Sequence, residues 1–554
     1  MQIIIPMSGF GERFKRAGYS VPKPLIEVEG KPIVAHVIDM FPGETNFLFI
    51  CNKDHLAHPD YRMAETLKKY CPTGKIIAIP PHKLGPVYAV DSVAEHVDLE
   101  DEVVVNYCDF TCYWDWQHFK DWVKKSKGDG AIPAYKGFHP HTLGTTNYAY
   151  MKESNHWLED IQEKQPFTDN RMNEYASSGT YYFASGKLML DAFKQMMAKN
   201  LNINGEYYVS LAYKPLLENN CAIAVYDLQH FMQWGTPDDV REYQQWSKIF
   251  HHLSSAKPST CSVDTMVMPM AGLGQRFVNE GYTLTKPLIP VSGSPMVVQA
   301  AKDLPAANRY VFVLREDMPG VEEVSEILKQ EFSPAYIKTV PQVTEGQACT
   351  ALYGLDLLKD QQQEGGVLTF GVCDSGLLYD AEKLQALLQE DNSEVVVWAA
   401  RGHANAIRNP HMYGWIATDG PFIQKVSVKQ PLASPEKDYI VTGIFTFKSE
   451  QIFRDCVKNL MERNGRVNGE FYIDTCINDA IMLGYTCKVF EVDGYISWGT
   501  PNDLRTFEYW QSCFHKWSSH PYQIELDQKI LPEKKNELID RYQKTVPPAL
   551  ELPA

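Results

Sequence analysis

The sequence predicts an α/β protein made of two tandem, mutually similar domains, each a mostly parallel sheet covered by helices. Two observations carry this. The chain repeats its own landmarks at a nearly constant offset, and within each copy short β-branched runs alternate with amphipathic stretches.

The repeat is explicit. Pro6-Met7-Ser8-Gly9-Phe10-Gly11-Glu12-Arg13-Phe14 returns as Pro269-Met270-Ala271-Gly272-Leu273-Gly274-Gln275-Arg276-Phe277, 263 residues later. Lys23-Pro24-Leu25-Ile26 returns as Lys286-Pro287-Leu288-Ile289 at the same spacing. Cys108-Asp109 meets Cys373-Asp374 at 265, and Asn204-Gly205-Glu206 meets Asn468-Gly469-Glu470 at 264. Trp234-Gly235-Thr236-Pro237 meets Trp498-Gly499-Thr500-Pro501, again at 264. Landmarks that drift by two residues over such a length mark a duplicated domain. The expected division is a first domain over residues 1–250, a polar linker over 251–264, a second domain over 265–518 and a tail over 519–554. In that tail, Glu533-Lys534-Lys535-Asn536-Glu537 reads as a solvated helix and Pro547-Pro548 as a loose end.

Within the first copy, residues 3–5, 47–51, 76–79 and 103–105 read as buried strands, and 33–40 and 87–96 as amphipathic helices. Such alternation gives parallel sheets with helices on both faces. Ligands then bind beyond the carboxyl ends of the strands, where the first glycine loop lies.

Composition narrows the partners. Of 554 residues, 44% are hydrophobic and 22% charged, ordinary for a large globular chain. The formal net charge of −16 disfavours duplex nucleic acid and anionic membrane as partners. A small anionic substrate stays compatible, because a pocket's local field can oppose the global one. No apolar window is long enough to span a membrane, and the opening residues lack the layout of a signal peptide, so a cytoplasmic protein is expected. The 12 cysteines are scattered, which suits reduced thiols. Cys108 and Cys112 have no second Cys or His pair at finger spacing and read as ordinary buried thiols.

The chemistry concentrates in a few places. Ser8-Gly9-x-Gly11-x-Arg13 directly follows the first strand. Glycines there let backbone N–H groups close on phosphate oxygens, and an arginine adds a permanently charged planar fork. Lys23, between Pro22 and Pro24, is held on a stiff backbone. Both elements recur in the second copy as Ala271-Gly272-x-Gly274-x-Arg276 and Lys286.

These motifs resemble the signature of sugar-phosphate nucleotidyltransferases, the NTP transferase family, over about residues 1–245 and again 265–515. The resemblance implies glycosyltransferase-A-like (Rossmann-like) nucleotide-binding domains. It implies transfer of a nucleotidyl group from a nucleoside triphosphate to a phosphorylated sugar or similar small alcohol phosphate, with release of pyrophosphate. Arg13, Lys23, Arg276 and Lys286 take the catalytic roles. Ser8, Gly9, Gly11 and Gly85, with Ala271, Gly272, Gly274 and Gly346, bind nucleotide. Asp109 and Asp374 stand where the family binds Mg²⁺, a hard cation suited to carboxylate and phosphate oxygens. Glu163 and Lys164 match the family's Glu-Lys pair at the sugar phosphate, and Gly179 the strand that follows. The second copy keeps Lys429 and Gly443 but has Val428 in place of Glu163.

Two departures bear on mechanism. Where many relatives carry a second metal-binding aspartate, this chain has Gln233 and Ser497. The loop His82-Lys83-Leu84-Gly85-Pro86 differs from Thr344-Glu345-Gly346-Gln347, so the copies differ in base or acceptor, or one has lost catalysis. Glu206 and Glu470, with Tyr208 and Tyr472, either bind acceptor hydroxyls or belong to a helix start capped by Asn204 and Asn468. Trp234 and Trp498 read as core anchors, and His139-Pro140-His141 and Trp114-Asp115-Trp116 as surface and packing features.

A glycosyltransferase consuming a nucleotide sugar is the rival reading, and so is one catalytic half beside a half that binds nucleotide or supports the assembly. The resemblance suggests precursors for capsule or lipopolysaccharide. A homo-oligomer is compatible with the sequence.

Overall fold

The computed structural model describes residues 1–255, 261–362, 365–543 and 550. The chain packs as two compact units. One comprises Met1–Gln244, Lys516–His520 and Gln543–Ala554; the other comprises Gln245–His515 and Pro521–Tyr542.

In the first unit ten of the described strands form one large sheet around Gln2–Met7, all six of whose residues are buried. Successive side chains of a strand face opposite sides, so burial of every residue requires cover on both faces. On one side Ile4, Leu48 and Val105 pack with Val87 and Val90 of helix Gly85–Asp91 and with Met189 and Phe193 of helix Gly186–Ala198. On the other, Phe47 meets Phe41, whose ring stands edge-on to Trp116.

The sheet is mixed, which corrects the expectation of a mostly parallel one. Lys75–Ile79, Phe47–Asn52, Gln2–Met7 and Val103–Asn106 run parallel in that spatial order. Thr180–Phe183 then pairs antiparallel with Val103–Asn106, and beyond it only Gly130–Tyr135 with Ile223–Asp227 is parallel. The second unit repeats this plan. Ala335–Val340, Ala306–Arg315, Ser262–Met270 and Leu368–Phe370 are parallel, and Tyr439–Phe447 turns the sheet antiparallel. Hydrophobic periodicity reports burial and not strand direction, so the reversal had no signature in residue pattern.

Two expected boundaries take a different form. Residues 251–255 complete helix Pro237–Ser255, and Ser262 opens a nine-residue strand; residues 256–260 of the expected linker lie outside the described residues. The described part of the tail is anchored. Just before it, Trp517 packs near His36 and Trp234 in the first unit. In the second unit Tyr522, Ile524 and Ile530 are buried, Lys529 pairs with Asp303 at 2.6 Å, and helix Pro532–Arg541 binds through Arg541 to Glu508 at 2.8 Å. Pro547 and Pro548 lie outside the described residues. All 12 cysteines are free thiols, and burial pushes Cys108 up to about 11.

Candidate active site

The strand Gln2–Met7 ends at a cavity of about 690 Å³. Its walls bring together Ser8, Gly9, Gly11, Arg13, Lys23, Gly85, Asp109, Glu163, Lys164, Gly179 and Glu206, every site residue predicted for the first copy. The sequence separates them by up to 198 residues; the sheet's carboxyl edge collects them.

Gly11 has φ +66° and immediately precedes helix Glu12–Arg16, while Arg13 stays exposed at the cavity's edge. A Cβ added at Gly9 or Gly11 would touch nothing within 4 Å, so packing does not demand glycine there. Open backbone beside a cavity suits a ligand's close approach. Ser8 is tied to the neighbouring loop. The Leu84 amide donates to His82 Nδ1 at 3.2 Å, which leaves His82 Nε2 as the donor to Ser8 Oγ at 3.1 Å.

Lys23 opens a short 3-10 turn whose preceding Pro22 is extended, with φ −60°. This rigid entry aims its ammonium at Asp109 Oδ2, 2.7 Å away. Burial alone would pull the Lys23 ammonium down; Asp109, with Cys108, overrides this and leaves it raised. Asp109 sits in the turn between strands Val103–Asn106 and Phe110–Tyr113. Its carbonyl accepts the Trp234 amide at 2.8 Å, which fixes the turn against Trp234-Gly235.

Across the cavity, Lys164 lies just past strand Trp157–Glu163 with φ +60°, and its amide donates to Tyr148 O at 2.9 Å. Its Nζ meets Tyr208 Oη at 2.6 Å, and that hydroxyl donates to Glu206 Oε2 at 2.6 Å. Glu163 is buried, which raises its carboxyl, and accepts Ser210 Oγ at 2.6 Å. Asn204 and Gly205, with φ of +52° and +83°, form a tight turn closed by the Ile203–Glu206 bridge. The helix start capped by Asn204 is therefore corrected; the Asn-Gly pair is a hairpin-type turn that presents Glu206.

Several glycines serve the backbone. A Cβ at Gly85 would lie 2.6 Å from Tyr207 N, and one at Gly346 would lie 2.5 Å from Phe471 N. Gly179, at φ +100°, and Gly443, at φ +88°, would press on Phe110 and Val372. Trp234 and Trp498 are buried core residues. His139 is buried too, and His141 bonds Tyr135 Oη at 2.7 Å, so this pair packs inward rather than at the surface.

The second unit keeps the arrangement. Gly274 has φ +63°, Lys286 Nζ is 2.5 Å from Asp374 Oδ2, and Lys429 Nζ is 2.9 Å from Tyr472 Oη. Ala271 is buried, Gly272 is exposed on the loop, and Arg276 is exposed in the following helix Gln275–Asn279. Glu470 follows the same turn, with Asn468 at φ +49°.

Two residues escaped sequence reasoning. Asp239 lines the first cavity, accepting Gln233 Nε2 at 2.5 Å and the Thr236 amide and hydroxyl at 2.8 and 2.7 Å. Burial pushes its carboxyl up to about 7, against the Thr236 hydrogen bonds. The Thr-Pro-Asp-Asp run could have signalled it, since threonine followed three residues on by an acid marks a capping box. Arg315, where the first copy has Asn52, reaches beneath the second glycine loop and donates to Ala271 O at 3.2 Å and Gly272 O at 3.0 Å.

Residues 3–173 match the model of the MobA-like NTP transferase domain. The chain is similar to mannose-1-phosphate guanyltransferase of Debaryomyces hansenii, 25% identical over 249 residues. It is also similar to mannose-1-phosphate guanyltransferase 2 of Candida glabrata, 27% identical over 255 residues. Each match covers 43% of this chain and 62% of the relative, so the chain spans about three fifths of the length of these relatives. Among solved structures, the nucleoside-diphosphate-sugar pyrophosphorylase from Vibrio cholerae RC9 matches at 20% identity and a TM-score of 0.37, covering 44% of this chain and 98% of that one. The glycine loop, Lys23, Asp109 and Lys164 all fall inside the segment that matches this model; Glu206, Tyr208 and Asp239 lie beyond the matched residues.

Proposed function

We propose that the chain is a tandem nucleotidyltransferase. It moves a nucleotidyl group from a nucleoside triphosphate to a phosphorylated sugar or similar small alcohol phosphate and releases pyrophosphate. The observation that carries this reading is one cavity holding two cationic stations. Lys23 stands on Asp109 beside the open glycine loop, and Lys164 stands on Tyr208 opposite.

The reaction joins two anions. An acceptor phosphate oxygen attacks the α-phosphorus, an O–P bond forms, and the bond to the β-phosphate oxygen breaks with its electron pair leaving on pyrophosphate. No protein nucleophile is required, so catalysis is positioning and charge neutralisation. The Gly9–Gly11 backbone and Arg13 grip the triphosphate. Lys23 neutralises charge at the α-phosphate. Lys164, held by Tyr208, takes the acceptor phosphate, and Glu163 and Glu206 take acceptor hydroxyls.

The donor set fits Mg²⁺ on one aspartate. Asp239 spends both carboxylate oxygens on Gln233 and Thr236, whereas Asp109 gives only Oδ2, to Lys23. Asp109, phosphate oxygens and water would hold the ion, which neutralises phosphate charge when bound. A screen of four nucleoside triphosphates against phosphorylated sugars and polyols, read as pyrophosphate release, tests the proposal. Release is expected with at least one pair and is expected to vanish in a Lys23→Ala, Lys286→Ala double variant. Undiminished release in that variant overturns it.

A further inference from the structure

The replacement of Glu163 by Val428 looks like decay of the second site until three positions are compared together. In the first unit Glu163 stands directly opposite Ala149 on the neighbouring strand and accepts Ser210 Oγ at 2.6 Å. In the second unit the directly opposed pair is Val428 and Gly414. The position of Ser210, at the 264-residue offset that relates Tyr208 to Tyr472, is Asp474.

The three changes are sterically linked. A Cβ at Gly414, such as Ala149 carries, would lie 2.5 Å from Asp474 Oδ2. Losing that methyl opens the space the carboxylate enters, and the strand's own carboxylate is gone. One negative charge has crossed from the strand to the first turn of helix Ile473–Met482.

The lysine beside it keeps its geometry. Lys429 has φ +58° against +60° for Lys164, and its amide donates to Tyr413 O at 2.9 Å, as that of Lys164 does to Tyr148 O. Lys429 still reaches a tyrosine hydroxyl and still acts electrostatically on the carboxylate. No side chain among the described residues donates to Asp474; only its own backbone amide does, and burial pushes its carboxyl up to about 6. Glu163 has the Ser210 hydroxyl; Asp474, half-buried, has no side-chain donor, which leaves acceptor capacity for a ligand's hydroxyls.

Building on the nucleotidyltransferase reading, we propose that the second unit holds a working acceptor subsite of its own. Lys429 binds the phosphate and Asp474 the hydroxyls of a phosphorylated sugar or polyol. Because the carboxylate approaches from the helix and not from the strand, the two units prefer acceptors of different hydroxyl geometry.

The test uses the full chain with one half silenced at a time. Lys23→Ala leaves the second half to act, and Lys286→Ala leaves the first. Each is assayed for pyrophosphate release over the same acceptor panel, and acceptor binding is measured by calorimetry. The two backgrounds are expected to rank acceptors differently. In the Lys23→Ala background, Asp474→Asn, which preserves shape, is expected to raise the acceptor KM or Kd about 10- to 100-fold, the scale of losing a hydrogen bond to a charged group, with the triphosphate KM unmoved. The triple change Gly414→Ala, Val428→Glu, Asp474→Ser restores the first unit's set and is expected to shift the ranking toward that of the first half.

Identical rankings, or an Asp474→Asn variant with unchanged acceptor KM and Kd, overturn the proposal. So does a second half that binds no acceptor while the first half still releases pyrophosphate, an outcome that spares the general reading. Silence of both halves toward every acceptor overturns both.

Discussion

Lys23 and Asp109 are 86 residues apart in sequence and their side chains meet at 2.7 Å; Lys286 and Asp374, 88 residues apart, meet at 2.5 Å. In both units the lysine enters from a proline-stiffened turn and the aspartate from a strand end. On the proposed reading, one pair serves two needs, holding a carboxylate ready for a cation and a cation ready for a phosphate. Lys23→Ala is expected to lower the first half's pyrophosphate release roughly 10²- to 10³-fold, the scale of losing one preorganised charge contact. Single-turnover assays in a Lys286→Ala background measure it, and a loss below threefold contradicts the role.

Glycines of the site divide by what a methyl would strike. Gly85→Ala places a Cβ 2.6 Å from Tyr207 N at φ +88°, so destabilisation by about 1–3 kcal/mol is expected, read as a fall in Tm. Gly9→Ala meets nothing within 4 Å and should leave Tm unchanged while raising the triphosphate KM. Equal effects on Tm would refute this division.

Tyr208 Oη lies 2.6 Å from both Lys164 Nζ and Glu206 Oε2. Tyr208→Phe removes the link and leaves the ring. The expected result is an acceptor KM raised about tenfold, the cost of one charge-assisted hydrogen bond, with the triphosphate KM unaffected.

The Asp239 carboxyl is raised to about 7 from an ordinary value near 4. The folded state therefore binds a proton that the unfolded state has released between those values. Stability is fullest below about pH 4 for this group and is lost as pH rises through about 7. Urea melts across pH 4–8 are expected to show that decline, and Asp239→Asn to flatten it. An unchanged slope in the variant would locate the titration elsewhere.

Chelation of Mg²⁺ separates chemistry from folding. Lys23 already neutralises Asp109, so removing the ion is expected to abolish pyrophosphate release and leave Tm unchanged. A drop in Tm of several degrees on adding a chelator would indicate a structural metal instead.

Much of this was legible in the residues. The glycine loop, Lys23 and Asp109 carry local signals and recur at nearly the same offset, and the first strands fall where β-branched runs placed them. What the residues concealed is relational. Nothing in the pattern around Thr180–Phe183 says that it runs against Val103–Asn106. Sparse apolar residues such as Ile524 and Leu538 anchor a segment whose composition reads as solvated. Asp474 is one acid among many until Gly414 and Val428 are seen facing it.

Calorimetric titration of the full chain with each of the four nucleoside triphosphates, at millimolar Mg²⁺, tests the central claim most directly. The account predicts saturable uptake of at least one of them, weakened by Lys23→Ala, by Lys286→Ala or by both changes together. Absence of uptake for all four would contradict it.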